Sequence, residues 1–231
     1  MCIRDSTYSI KKKLVESGSI FQTSSDTEII LQLVARSKKK KIIDKLIDAL
    51  NQIKGAYSLV ILTNKKLIGV RDPFGIRPLV LGEKDGSPVL ASETCALDMI
   101  GAKYIRDVEN GEIVIITESG IESIKPFQKV LERPCIFERI YFASPDSIVG
   151  NKTVYTYRKA LGEQLASENN LTADVVVPIP DSGVSAAIGF SQKSFIPFEL
   201  GIIRSHYVGR TFIEPSQTIR QFGVKLKHSV N

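Results

Sequence analysis

Apolar residues recur at helical spacing twice near the start of the chain, and the pattern then switches to short strand-like runs. Ile29, Ile30, Leu33 and Val34 line one face of a predicted helix, and Ser25-Asp26-Thr27-Glu28 before them reads as an S-x-x-E capping box. Ile42, Ile43, Leu46, Ile47, Leu50 and Ile53 mark a second helix. From Gly55 onward "AYSLVIL", "KLIGVRD", "PLVLG" and "PVLAS" are strand-like, with Asn64, Gly75, Gly82 and Asp85-Gly86 as turn residues between and beside them. A short helix, "ETCALDMIG", interrupts them, and "GEIVIIT" and "IESIK" flank "ESG" as a hairpin. This part predicts an α+β layer structure rich in antiparallel strands.

The pattern changes again between Lys125 and Tyr141, where a domain boundary is placed. "YTYRKALGEQLASEN" reads as an amphipathic helix, and "ADVVVPIP" as a nearly continuous apolar strand of the kind buried on both faces of a parallel sheet. "GVSAAIGFSQKS" predicts a helix and "PFELGIIR" another strand, which together make a β-α-β unit. There is no internal repeat and no low-complexity segment.

The 231 residues allow one large domain or two small ones. A hydrophobic fraction of 43% and a charged fraction of 24% are ordinary for a globular chain. No apolar run approaches a membrane span, and the polar start lacks the apolar core of a signal peptide. Cys2, Cys95 and Cys135 lie far apart with no CxxC pair, which fits a reducing, cytoplasmic setting. Much of the net charge of +6 sits in Lys11–Lys12–Lys13 and Lys38–Lys39–Lys40–Lys41. Neither run has an aromatic residue inside it, so they read as a solvated helix end and a loop, not as a nucleic-acid surface.

Four stretches carry candidate chemistry. Asp181-Ser182-Gly183 stands where a predicted strand gives way to a helix, so its backbone N–H groups and the helix dipole suit an anion; plain helix capping is the structural alternative. "HYVGRTFIEPSQTIRQFGVKLK" holds Tyr207, Gly209, Arg210, Thr211, Arg220, Lys225 and Lys227 and reads as a mobile basic loop able to close over a polyanion. "RDPFGIRPL" predicts a tight turn flanked by Arg71 and Arg77. Cys135 precedes a strand-like run and reads as a buried free thiol. Cys2 raises a separate question, because an N-terminal cysteine freed of Met1 can attack an amide with its own amine as base.

Taken together, "GSIFQTSSDTE", "GAYSLVIL", "VRDPFGIRPLVLG", "LASETCALD", "IYFASPDS", "VPIPDSG" and "HYVGRTFIEPSQ" resemble the glutamine phosphoribosylpyrophosphate amidotransferases, or amidophosphoribosyltransferases, from about Thr7 to Asn231. The resemblance implies a partial α+β sandwich of the N-terminal nucleophile amidotransferase type over 7–134. The first β-α-β part of an α/β type I phosphoribosyltransferase domain follows over 135–231. It implies the first step of de novo purine synthesis, in which phosphoribosyl pyrophosphate (PRPP), glutamine and water give phosphoribosylamine, glutamate and pyrophosphate.

By the same resemblance Asp26 contacts the α-amino group of glutamine, with capping of its helix as the alternative. Asp181, Ser182 and Gly183 lie at the pyrophosphate end of PRPP, with Ser182 reaching Mg²⁺. Tyr207, Arg210 and Thr211 belong to a flexible loop over PRPP, and Cys135 is a candidate first ligand of a [4Fe–4S] cluster found in one branch of the family. His206 stands where the family more often has arginine.

The family's nucleophilic cysteine begins C-G-I/V-x-G, far upstream of "SSDTE". Cys2 is followed by Ile-Arg-Asp-Ser, so Cys2 is expected not to be the nucleophile, residues 1–6 to be a non-native leader, and the chain to be an internal piece without activity of its own. Expected partners are glutamine, PRPP, purine nucleotide inhibitors and further copies in a homo-oligomer, without nucleic acid or membrane. The rival readings are another glutamine amidotransferase of the same type, and a catalytically silent sugar-phosphate-binding or regulatory module.

Overall fold

The computed structural model describes residues 4–209, 211 and 213–231, with the backbone alone for 4–6. The chain forms two compact units, Met1–Cys135 and Ile136–Asn231.

The first unit carries helices α1 (Arg4–Glu16), α2 (Thr27–Arg36), α3 (Ile42–Leu50) and α4 (Thr94–Met99). Its strands are β1 (Ser58–Leu62), β2 (Leu67–Arg71), β3 (Val80–Lys84), β4 (Ser87–Ala91), β5 (Lys103–Asp107), β6 (Ile113–Thr117) and β7 (Gly120–Ile124). They make two antiparallel sheets, ordered β1-β2-β6-β7 and β4-β3-β5.

Strand alternation sorts the core into layers. Ile113 and Ile115 of β6 join Ile68 and Val70 of β2 beneath Ile29, Ile30 and Leu33 of α2 and Leu46, Ala49 and Leu50 of α3. Val114 and Ile116 face the other way, onto Leu79 and Leu81 beside the second sheet. Val80 in turn meets Leu97 of α4 and Ala102. The unbroken apolar run "EIVIIT" is therefore a strand covered on both faces.

Three local readings need correction. Asp26, not Ser25, is the residue before the first turn of α2, and it makes no side-chain capping bond. Glu28 reaches back instead to Gln22 N–H and Thr23 N–H, both at 2.8 Å, and to the Thr23 hydroxyl at 2.6 Å. These bonds, the Thr23 hydroxyl first, hold its carboxyl below the usual range. Strand β5, "KYIRD", was not anticipated, because a polar edge strand shows no alternation. Helix α1 was anticipated only at its end, where Lys13 lies in the last turn.

The second unit contains a π-helical turn (Glu138–Phe142), β8 (Ile148–Val149), β9 (Lys152–Thr153), α5 (Val154–Glu168), α6 (Val184–Ser194), β10 (Ile202–Arg204), α7 (Gln217–Lys227) and β11 (His228–Val230). Thr153 caps α5 by accepting from Thr156 N–H at 3.3 Å. Buried Arg158 donates to the carbonyls of Arg139 at 3.0 Å and Ala143 at 2.8 Å, which ties the π turn to α5.

The expected β-α-β unit is reduced. Its first strand makes a single parallel bridge, Val176 to Phe198, held by Val176 N–H to Pro197 O at 2.8 Å and Glu199 N–H to Val176 O at 3.1 Å. Pro178 and Pro180 lack the donors that would extend the ladder. The second strand survives as β10, which pairs antiparallel with β11.

The stretch read as one mobile basic loop contains helix α7, with Ser216 Oγ accepting from Ile219 N–H at 3.2 Å. Its apolar Ile219, Phe222, Val224 and Leu226 are all exposed, so no buried face marked it in the sequence. Among the described residues no helix is long and apolar enough to cross a membrane.

Candidate functional site

In the first unit Asp26 lines a cleft of about 650 Å³ together with Thr7, Tyr8, Lys11, Ser24, Ser25 and Ile29. The loop between α1 and α2 is pinned by the Glu28 bonds and by Arg36, which donates to Ser17 O and to Ser19 Oγ, each at 3.1 Å. Lys11 sits 4.7 Å from the centre of the Phe21 ring and donates to Thr23 O at 3.4 Å. Because the Asp26 side chain caps no helix N–H and accepts a 3.5 Å bond from the Thr27 hydroxyl, its carboxylate stands at the helix start with acceptor capacity for an ammonium group.

The "RDPFG" turn lies deeper. Asp72 is fully buried and accepts from Phe74 N–H at 2.9 Å and from Ile76 N–H at 3.2 Å. Burial raises its pKa against those bonds. Arg71 donates to the carbonyls of Arg77 at 3.0 Å, Val108 at 2.7 Å and Gly75 at 3.3 Å. Burial, and then the Asp72 charge, push the Tyr57 hydroxyl upward. The turn is thus a brace whose N–H groups go to the Asp72 carboxylate and whose Arg71 guanidinium goes to carbonyls. Glu112 was not singled out from the sequence, yet it is buried and bound by Arg106 at 2.7 and 2.9 Å, by Ser123, and by Glu109 N–H at 2.6 Å.

In the second unit Asp181, Ser182 and Gly183 form the turn before α6, and Asp181 and Ser182 are exposed. A Cβ on Gly183 would stand 2.8 Å from Ile179 O, and Gly183 N–H already donates to that oxygen at 3.0 Å, so the turn closes tightly only with glycine. Asp181 Oδ2 pairs with Arg204 Nη1. Tyr207 is fully exposed, and Thr211 lines a separate groove of about 420 Å³ with Gln217, Arg220, Gln221, Val224 and Lys225 of α7. Lys227 Nζ donates to Gly209 O at 3.0 Å. Arg210 and Cys2 lie outside the described residues.

Among the described residues no three His, Cys, Asp or Glu side chains gather to hold a metal ion. Cys135 is half-buried, with its N–H on Ile76 O at 3.1 Å. A [4Fe–4S] cluster takes four thiolates, and the chain has three dispersed cysteines. Ser182 offers one exposed hydroxyl at the turn before α6. Cys135 alone does not make such a cluster site, whereas the Ser182 hydroxyl is the kind of oxygen donor a magnesium ion takes alongside substrate phosphates.

Residues 5–99 match the model of a glutamine amidotransferase domain. The amidophosphoribosyltransferase of Rhizobium etli is 57% identical over 227 residues, which is 96% of this chain and 46% of that protein. Over nearly its whole length the chain is similar to part of an amidophosphoribosyltransferase. The Bacillus subtilis amidophosphoribosyltransferase is 46% identical over 95% of the chain and 46% of its own length. A chloroplastic amidophosphoribosyltransferase of Glycine max is 55% identical over 92% of this chain and 38% of its own.

Among solved structures, the B. subtilis glutamine PRPP amidotransferase complexed with ADP and GMP aligns with a TM-score of 0.89 at 45% identity, covering 96% of this chain and 49% of that one. A structure described as the allosteric regulatory enzyme of purine biosynthesis gives the same TM-score of 0.89, covering 97% and 48%. The chain therefore spans about half the length of the amidophosphoribosyltransferases it matches, and its first unit is part of a glutamine amidotransferase domain.

Proposed function

We propose that the chain contributes the glutamine-binding helix start and the pyrophosphate-binding turn of an amidophosphoribosyltransferase, which converts PRPP, glutamine and water to phosphoribosylamine, glutamate and pyrophosphate. The observation that carries this reading is the Asp26 carboxylate, which lines a cleft at a helix start and caps no helix N–H, within a chain 57% identical to an amidophosphoribosyltransferase. Residues 7–134 then serve the glutaminase half and 135–231 the beginning of a type I phosphoribosyltransferase half.

Asp26 holds the ammonium of glutamine. The Asp181–Gly183 turn offers N–H groups and the Ser182 hydroxyl to phosphate oxygens. Tyr207, Arg210 and Thr211 belong to the segment that closes over PRPP, which shields the sugar carbon so that ammonia, not water, attacks it. Magnesium, when bound, neutralises diphosphate charge; purine nucleotides act as inhibitors.

In a chain spanning the whole length of the relatives, Asp26→Asn should raise the glutamine KM on the order of tenfold or more, the scale of one lost charge-assisted bond. Ammonia-dependent synthesis should be unchanged. Steady-state kinetics with each nitrogen donor checks this, and an equal loss of both activities would reduce Asp26 to a folding role.

Cys2 is not the glutaminase nucleophile in this reading, because its context, Cys-Ile-Arg-Asp-Ser, departs from the family's cysteine motif. Glutamate release from glutamine by this chain should be undetectable, and Cys2→Ala should leave it so. Hydrolysis that disappears in Cys2→Ala would refute that assignment.

A further inference from the structure

We infer that Arg204 is a positioning residue for the anion-binding turn. By pairing with Asp181 it cancels the carboxylate charge that would otherwise repel a diphosphate from Ser182, Gly183 and the start of α6. The inference rests on the proposed reading of that turn as a pyrophosphate cradle, and it names the residue that makes the cradle electrostatically workable.

A helix N-terminus attracts anions through its free N–H groups and its dipole. Here that end carries an acidic residue, Asp181, one position from the Ser182 hydroxyl and exposed on the same turn. Left bare, the carboxylate would oppose a polyanion at close range. Arg204 meets it across 23 residues of sequence.

The position of Arg204 is fixed by backbone independent of the turn. Arg204 lies on β10 opposite His228 of β11, and the next residue, Ser205, donates its N–H to Lys227 O at 2.8 Å. Its Nε is buried and has no hydrogen-bond acceptor among the described residues. The guanidinium's described hydrogen bond and ion pair are both to Asp181. Arginine suits this role because it stays charged at any working pH and grips a carboxylate while it remains part of a strand.

The test is calorimetric titration of the chain with inorganic pyrophosphate and magnesium. Four proteins are compared: the parent, Arg204→Gln, Arg204→Lys, and Arg204→Gln combined with Asp181→Asn. Arg204→Gln should weaken pyrophosphate binding by at least about tenfold, the scale of one uncompensated charge at contact distance in a partly exposed site. Arg204→Lys, which keeps the charge, should bind within a few-fold of the parent. The double variant, which removes both charges, should recover most of the loss.

Parent-like binding by Arg204→Gln overturns the inference. So does a double variant as weak as Arg204→Gln, since Arg204 would then be touching the anion itself. Should Arg204→Gln fail to fold by circular dichroism, Arg204→Lys and the double variant still decide it, and weak binding by either one overturns it. A parent chain that binds no pyrophosphate removes the reading of the turn and this inference with it, whereas binding without charge rescue removes this inference alone.

Discussion

A single methyl group added at Gly162 or Gly189 should destabilise the second unit by about 3 kcal/mol or more, the upper range for overpacking. Helices α5 and α6 cross with these two glycines on the contact face. A Cβ on Gly162 would stand 1.9 Å from Ala186 O and 2.7 Å from Ala186 C, and one on Gly189 would stand 2.0 Å from Lys159 O. The obstructing atoms are backbone, so no rotamer change relieves them and the helices must separate.

Both positions are inside helices, where Gly→Ala ordinarily stabilises by about 1 kcal/mol. The predicted sign is therefore the reverse of the propensity effect, which makes the measurement discriminating. The unit has little apolar burial to absorb the change, since Ala143, Val154 and Ile196 are its described buried hydrophobics. Thermal melts followed by circular dichroism should show a lowered or lost second-unit transition in Gly189→Ala. Gly209→Ala serves as the control: a Cβ there meets nothing within 4 Å, and its melt should match the parent. A raised melting temperature in Gly189→Ala would contradict the close crossing.

The first unit was legible in the sequence because its elements bury one face or two. The helical spacing in α2 and α3 and the run of β6 translate directly into the layers they occupy. The second unit was less legible for a physical reason. "ADVVVPIP" has the apolarity of a buried strand, but Pro178 and Pro180 withdraw donors that a ladder needs, and Val175, Val177 and Ile179 are exposed. Apolarity alone could not reveal that. Helix α7 went unread for the opposite reason, since a helix that buries none of its residues has periodicity without a partner.

The candidate site divides in the same way. The Asp181–Gly183 turn could be named from sequence because turn chemistry is local, whereas Asp26 was named through the family resemblance of "SSDTE". The Arg204–Asp181 pair joins residues far apart in the chain, and nothing in either neighbourhood announces it. Asp72 appeared as a turn residue, and only the fold shows it as a buried carboxylate carrying backbone N–H bonds. Glu112 had no sequence signal at all, because an acidic residue next to a strand is ordinarily solvated.

Removing the Glu112 carboxylate should cost the first unit about 3 kcal/mol, the lower range for breaking a buried ion pair. Its side chain is 1% exposed, while that of Arg106 is 38% exposed, so the arginine can rehydrate and the cost stays near that lower bound. Burial by itself would raise the Glu112 pKa; hydrogen bonds from Arg106, Ser123 and Glu109 N–H outweigh it, and the net position is below the ordinary value. The sign follows from linkage. A carboxylate bound more loosely by protons in the fold than in the unfolded chain stabilises fully above its unfolded pKa, about 4.3. It loses that contribution as pH falls through the lower, folded value.

Asp72 works in the opposite sense. Burial raises its pKa, so protonation of Asp72 is favoured by the fold as the medium becomes acidic. Glu112→Gln separates the two. Urea unfolding of the parent, followed by fluorescence of the tyrosines, should show stability falling below about pH 4.3, where carboxylates such as Glu112 take up protons. In Glu112→Gln the neutral-pH stability should already be reduced, and the acid-side fall should be shallower. If the variant shows the same acid limb as the parent, Glu112 is not the carboxylate that sets it.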